Sequence, residues 1–398
     1  MKKQVLFYTP FLKVGGIEKA SIEYLKLLKA KGVNVELLVD YDMGSQNLLL
    51  SEVPSGVRYH FIKDQRLSRF IYFLRTQAKT NRLFLPFLFA TVIVSDFFLY
   101  HFKVKKIIQR SEFDLIVTFY QFLPAYLTRG SSAKNVIWLH GSVEHFFSGL
   151  KNLFIDSYLK KLDRYDKIVT ISDEMEAQLL ELYPALDESK ITRIYNPLDF
   201  DLIKQKSVDN TSLSVIEKQI IAKPYICHVS RLDEGQKDIS TLIKAFAKLK
   251  IDPINSHNLV IVGTGPDIQK LKLLSYVLGL VENIFFVGNQ LNPYIWMKQA
   301  DVLVLSSKFE GFGLVLVEAM SVGTFVIASS CKTGPREILA DGQFGDLFDV
   351  GNVDALSQLL FRALSNPSYR QTKTGLAYER IRAFDREQTA QDFLDLIK

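Results

Sequence analysis

The chain of 398 residues is 48% hydrophobic and 23% charged, which excludes a disordered protein and is long enough to predict two domains. Two cysteines, Cys227 and Cys331, each in or beside an apolar strand, exclude a disulfide framework and a cysteine metal site and fit buried thiols in a reducing compartment. The net charge of +6 is uneven: between Ser55 and Arg110 eleven Lys and Arg stand against Asp64 and Asp96, a local +9 that leaves −3 for the remainder.

Met1-Lys-Lys leads into only a short apolar run, Val5 to Tyr8, before Pro10, so no cleavable leader is expected and the protein is expected in the cytoplasm. Gln4 to Thr9 reads as a first strand. Gly15-Gly16 then opens a helix with apolar Ile22, Leu25 and Leu28, ending at Lys31-Gly32. Paired glycines there let a backbone approach a phosphate closely, although a plain strand-to-helix turn uses the same residues. Val33 to Asp40 supplies a second strand and a βαβ beginning.

Leu83 to Tyr100 is almost long enough to span a bilayer, which needs about 20 apolar residues. Pro86 and Asp96 count against spanning. Two readings remain, a buried helix covering the sheet or an element lying in the membrane interface. The basic flanks favour contact with an anionic membrane surface, through residues such as Arg66, Arg69, Arg75, Phe97 and Phe98.

Phe113 to Thr118 and Asn135 to Leu139 are strands, the latter ending in His140-Gly141, with Glu144 and His145 as nearby polar candidates for ligand contact. A histidine at a strand end is often only a structural residue. Lys167 to Ser172 is a further strand, and Ser172 can cap a helix from Asp173. Ile191 to Ile194 leads into Tyr195-Asn196-Pro197, a stiff crossing, and residues 203–222 read as a polar excursion before the second domain.

In that domain Tyr225 to Val229 is a strand followed by Ser230-Arg231 and Lys237. Leu259 to Val262 precedes Gly263-Thr-Gly265, which lacks the third glycine of a dinucleotide fingerprint. Strands follow at Ile284 to Gly288, Asp301 to Ser307 and Thr324 to Ser329. A helix Ala355 to Leu364 starts from Asp349, Val350 and Asp354, and Asp385 with Gln388 is expected to form a capping box for a last helix, Arg386 to Ile397.

Function concentrates in Glu310-Gly311-Phe312-Gly313-Leu314-Val315-Leu-Val-Glu318. Strand, glycine turn and helix succeed one another there, so the amides near Gly313, Leu314 and Val315 become unpaired donors where the helix dipole favours an anion such as a diphosphate, although two glutamates eight apart also fit a solvated helix face and a loop acid. Glu318, one turn past Leu314 on the same face, is placed to accept hydrogen bonds from ribose hydroxyls. Glu310, in the loop, is free to reach a sugar.

This module, with Ala319-Met320 after it and Gly334-Pro-Arg-Glu337-Ile downstream, resembles the signature of the family 4 retaining glycosyltransferases of GT-B fold, and the resemblance covers most of the chain. It implies an α/β protein of two Rossmann-like parallel-sheet domains facing a cleft. Residues 1–198 would bind the acceptor, residues 199–380 the nucleotide-sugar donor, and residues 381–398 would form a helix crossing back to the first domain. By the same resemblance Gly15 and Gly16 face the donor diphosphate, His140 lies near the donor sugar, and Gly263 borders the donor. Arg231 and Lys237 bind the diphosphate, with Ser230 departing from the usual glycine of that motif, and backbone near Gly288 and Asn289 holds the base. Glu310, His140, Arg231 and Lys237 are the implied catalytic set. Gly311, Phe312, Gly313, Leu314, Val315 and Glu318 complete the donor site.

The implied activity is transfer of a sugar, with retention and without a metal or other cofactor, from a nucleotide-sugar to a saccharide or lipid-linked acceptor in cell-surface glycan synthesis. A UDP-linked hexose or N-acetylhexosamine is the expected donor. No nucleic acid is expected as a partner, and the expected location is the cytoplasm, peripheral on the inner face of the cell membrane. The competing readings are a non-catalytic nucleotide- or membrane-binding protein of the same fold, and a GT-B phosphorylase or epimerase.

Overall fold

The computed structural model describes residues 3–13, 15–119, 122–141, 155–249 and 256–397. With strands numbered along the chain, the first sheet runs in the spatial order β3 (Arg58–Lys63), β2 (Asn34–Tyr41), β1 (Gln4–Thr9), β4 (Leu115–Phe119), β5 (Lys134–Trp138), β6 (Lys167–Thr170), β7 (Ile191–Arg193). The second runs β10 (Ile284–Gly288), β9 (Asn258–Val262), β8 (Tyr225–Val229), β11 (Val302–Leu305), β12 (Phe325–Ser329), β13 (Asp346–Phe348). Every pairing is parallel. Strands such as β4, β9 and β12 are buried along their whole length, as helices on both faces of a parallel sheet require. Order reverses between β1 and β4 and between β8 and β11, and at such reversals the connecting loops part and leave a crevice beyond the carboxyl ends of the strands.

Most strand bounds fall within two residues of those read from the periodicity. The exceptions have local causes. β3, Arg58-Tyr-His-Phe-Ile-Lys, is an edge strand with charged ends, and β13 has only three residues, so neither shows an apolar run. The supposed excursion at 203–222 is largely helical: Phe200–Ser207 is capped by Asp199, and Val215–Ile221 starts with a complete capping box between Ser214 and Glu217. The box expected at Asp385 and Gln388 is not reciprocal, because Gln388 instead donates to Asp392. Asn352, not Asp349, caps the helix Val353–Ser365.

The apolar segment is not a core helix. Leu85–Leu99 has no buried residue, and the longer helical stretch Arg82–Arg110, apolar and long enough to cross a membrane, is only 6% buried over its most apolar window. It is nonetheless fastened to the sheet. Lys63, wholly buried at the end of β3, donates to Asp40 at 2.5 Å and pairs with Asp96 of this helix at 2.7 Å. Tyr100 adds a hydrogen bond to Asp40 at 3.0 Å and meets the Tyr8 hydroxyl at 2.8 Å. Asp96 thus anchors the helix, and drawing the helix away would leave a buried ammonium short of a partner.

The last helix, Arg386–Ile397, crosses back to the first domain. Phe393 is fully buried against Phe7 and Trp138, with ring centroids at 5.7 and 5.4 Å, and Lys31 pairs with Glu387 at 2.5 Å.

Candidate active site

The glycine turn after β11 is held on two sides. Thr333 donates its hydroxyl to the carbonyls of Glu310 and Gly311, each at 3.0 Å, and Glu310 N–H donates to Lys332 O at 2.9 Å. Gly313 then takes φ 94°, a left-handed conformation that costs glycine little, and the helix Leu314–Ser321 begins. No side chain caps it, so the amides read from the sequence as anion donors are available to a ligand.

Across the cleft stands the end of β5. A Cβ built at Gly311 would lie 2.2 Å from the His140 carbonyl oxygen, so this turn touches the other domain where any larger residue would force the two apart. The loop therefore brings Glu310 and the helix start to His140. His140 is buried, packed against Phe119 with ring centroids 4.2 Å apart, and neither ring nitrogen finds a partner among the described residues. A buried polar atom left unpaired is costly, which sets this imidazole apart from an ordinary core side chain. Burial pushes the imidazole down to about 3, so it is neutral at ordinary pH.

Lys237 and Glu310 are joined at 2.6 Å, both largely buried, and Ser307 donates to the same carboxylate oxygen at 2.5 Å. The other oxygen of Glu310 accepts no hydrogen bond among the described residues. Arg231 is not gathered with them. Its guanidinium is exposed, pairs with Asp233 at 2.9 Å and donates to Gln236 at 3.3 Å. Gly263, with φ 131°, serves close approach: a Cβ there would sit 1.9 Å from the Ser230 carbonyl, so the loops after β8 and β9 can pack only around glycine.

Glu318 accepts from the Tyr294 hydroxyl at 3.3 Å, and its carboxyl is raised by burial while Lys19 of the first domain pulls it back down. Lys19 lies one turn beyond Gly15 and Gly16, which places the start of that helix near Glu318. Gly16 has open space where a side chain would be, whereas Gly15 faces only the flexible Glu18 carboxylate. The Phe312 ring turns away, against Tyr195 at 5.3 Å and Phe384 at 5.6 Å, so only its backbone borders the cleft. Leu314 and Val315 line the helix start and are partly buried against the core. Glu144 and His145 lie outside the described residues.

Sequence reasoning missed a contact that fixes the two domains beside this site. Glu337 accepts from the amides of Asp173 and Glu174 at 2.8 and 3.3 Å, the start of a first-domain helix, and from the Tyr195 hydroxyl at 2.6 Å. Glu174 returns the exchange by accepting from Gly334 N–H at 2.9 Å. Each domain caps a helix of the other, a relation spread over some 160 residues that no local pattern reveals.

The second buried histidine gives a pH prediction. His228 bonds Val304 O at 2.9 Å and Ser230 Oγ at 2.7 Å, and burial pushes it down to about 4. An unfolded histidine takes up its proton near 6.5, so between about 6.5 and about 4 the unfolded state binds more protons and stability falls as pH falls. The expected loss is up to about 3 kcal/mol from His228 at about 1.4 kcal/mol per pH unit. Urea melts from pH 7 to 4 should show it, and a folded His228→Gln variant should show a shallower dependence.

The profile described as Glycosyltransferase Family 4 matches residues 14–202, and that described as Glycosyl transferases group 1 matches residues 215–378. A Campylobacter jejuni protein named N-acetylgalactosamine-N,N'-diacetylbacillosaminyl-diphospho-undecaprenol 4-alpha-N-acetylgalactosaminyltransferase is 32% identical over 250 residues, 62% of this chain and 64% of that protein. The lipopolysaccharide 1,6-galactosyltransferase of Salmonella typhimurium is 27% identical over 57% of this chain and 58% of its own. These matches thus span less than two thirds of the relatives' length. Anabaena HepE, solved in complex with UDP and glucose, superposes with a TM-score of 0.76 over 99% of both chains at 20% identity, a likeness of fold. Two profiles that tile both domains, and a fold that matches end to end, show that the chain belongs to the family 4 glycosyltransferases of GT-B fold.

Proposed function

We propose that the protein is a retaining glycosyltransferase that moves a hexose or N-acetylhexosamine from a uridine diphosphate sugar to a saccharide or lipid-linked saccharide in cell-surface glycan synthesis. The observation that carries this reading is the contact of Gly311 with the His140 carbonyl, which sets an uncapped helix start and Glu310 opposite a buried, unpartnered histidine. The helix amides and Lys237 meet the diphosphate, Glu318 the ribose, and Glu310 a sugar hydroxyl. In the front-face displacement implied by the family, the acceptor oxygen bonds to the anomeric carbon as the bond to the diphosphate breaks. The hydroxyl proton passes to the departing diphosphate oxygen. Arg231, Lys237 and the amides supply positive charge without a metal.

The relatives named above support a glycan or lipid-linked acceptor: the name of the Campylobacter jejuni protein specifies a diphospho-undecaprenol-linked saccharide. The exposed Leu85–Leu99 helix, beside exposed Arg66 and Arg69, supports a peripheral position on the cytoplasmic face of an anionic membrane, with Phe97 and Phe98 entering the interface.

Thermal unfolding with a panel of nucleoside diphosphates and their sugars tests the donor. A ligand at a hundredfold excess over its Kd should add about 2.7 kcal/mol, and UDP with its sugars should lead the panel. Stabilisation by none of them would sink the reading.

A further inference from the structure

The helix Ile268–Val277 in the second domain is apolar on two sides. Leu271 and Ser275 are buried against its own domain, while Leu273, Tyr276 and Val277, three and four residues apart and therefore on one face, are 62, 71 and 70% exposed. A surface helix turns charged and polar residues outward, and one that is apolar all round is covered on both sides. Among the described residues nothing covers the second side. Beside this ridge lies a groove of about 770 Å³, lined by Phe285, Phe286 and Val287 of β10, by Tyr276 of the ridge, and by Ile216 and Ile220 of the helix Val215–Ile221. Ile216 and its neighbour Val215 are themselves 70 and 74% exposed, and β10 is the outermost strand of its sheet. Exposed apolar surface of this extent marks an interaction site.

Two features single out what covers it. Ridge and groove share one face, so a copy turned about a two-fold axis can lay its ridge in this groove while receiving this ridge in its own. Such self-matching is what an isologous contact requires. The exposed charges there are also of both signs: Lys272 lies over the Phe286 ring at 5.9 Å, Glu282 adjoins Val281 of the groove, and neither forms an ion pair among the described residues. An anionic bilayer is met by cations alone, whereas a second copy brings a glutamate for each lysine. The twelve lining residues and the exposed ones that adjoin them approach the 20 or more a side, about 800 Å² from each partner, of a standard interface. Tyr276 stands where ridge and groove meet, and tyrosine is among the residue types that dominate binding.

We infer that the protein forms a two-fold dimer through this face, the ridge of Leu273, Tyr276 and Val277 in each subunit lying in the groove of the other. The dimer is independent of the donor and acceptor assigned above. Sedimentation equilibrium of the full chain over a range of protein concentrations tests it, on the wild type and on Leu273→Asp/Val277→Asp, Ile216→Asp and Phe97→Ser/Phe98→Ser. The last pair alters the exposed apolar helix of the first domain and controls for association through that element. Circular dichroism and thermal unfolding check that each variant is folded, and every substituted residue is exposed. Ridge and groove are changed in separate variants, so either one alone decides the outcome.

The wild type should be a dimer whose Kd rises about 100-fold or more in Leu273→Asp/Val277→Asp, about tenfold or more in Ile216→Asp, and not at all in Phe97→Ser/Phe98→Ser. A wild type that is monomeric at every concentration overturns the inference. So does a dimer that survives either folded variant of this face, or one that dissociates only in Phe97→Ser/Phe98→Ser. A monomeric wild type whose sedimentation with phosphatidylglycerol vesicles is lost in Leu273→Asp/Val277→Asp would give the face to lipid, and overturns it as well.

Discussion

Replacing Lys237 with alanine is expected to lower turnover about 100- to 1,000-fold, roughly the 2.7–4 kcal/mol that removing one preorganised electrostatic donor costs. In the proposed reaction the charge on the diphosphate grows as the sugar leaves, and the largely buried Lys237 ammonium would meet it where water is scarce. Lys237 is held for that role by Glu310 at 2.6 Å, with only 15% of its side chain exposed. The loss should therefore fall on kcat more than on KM for the donor. Arg231→Ala should act in the same direction and more weakly, because its guanidinium is exposed and already paired with Asp233. Steady-state kinetics of both variants decide this, and a rise in KM with kcat intact would show that Lys237 only binds the ground state.

Glu318→Ala is expected to weaken free UDP and UDP-sugar alike by about 100-fold, since two hydrogen bonds from ribose to a carboxylate contribute roughly 1.5 kcal/mol or more each. The Tyr294 hydroxyl already steadies this side chain, and Tyr294 is itself raised well above the usual phenol range by the adjacent carboxylate. Glu310→Ala should do the reverse, sparing free UDP and losing turnover, if its open oxygen meets the sugar as proposed. The same change strips Lys237 of its partner, so Glu310→Gln, which keeps an acceptor there, should lose less than Glu310→Ala. Calorimetric titration with UDP separates the two glutamates, and equal weakening by both changes would contradict the division of labour.

Sheet architecture was largely legible because buried parallel strands are near-continuous apolar runs, and Tyr225–Val229 and Ile284–Gly288 read out to the residue. The glycine turn before Leu314 was equally plain, since a strand, two glycines and an apolar helix leave few alternatives. Less legible was anything set by distant partners. Nothing near Asp96 announces that Lys63 is buried beneath it, so the acid read as a flaw in an apolar helix when it is the anchor. Glu337 and Glu174 exchange helix caps across the domains, and Phe312, counted with the donor site, gives its ring to the linker. The helix at Val215 was missed for another reason: Ser214-Val-Ile-Glu217 carries the capping pattern in plain view, hidden by the polar residues before it.

The most direct test of the central claim is to follow the sugar itself. Wild-type protein in EDTA is supplied with uridine diphosphate sugars labelled at the anomeric carbon and with a lipid-linked saccharide, and the product is read by carbon and proton NMR. UDP release should be matched by a new glycosidic bond of the donor's own anomeric configuration, undiminished by the chelator and lost in Glu310→Ala. A product of inverted configuration, or transfer that stops in EDTA and returns with magnesium or manganese, would contradict it.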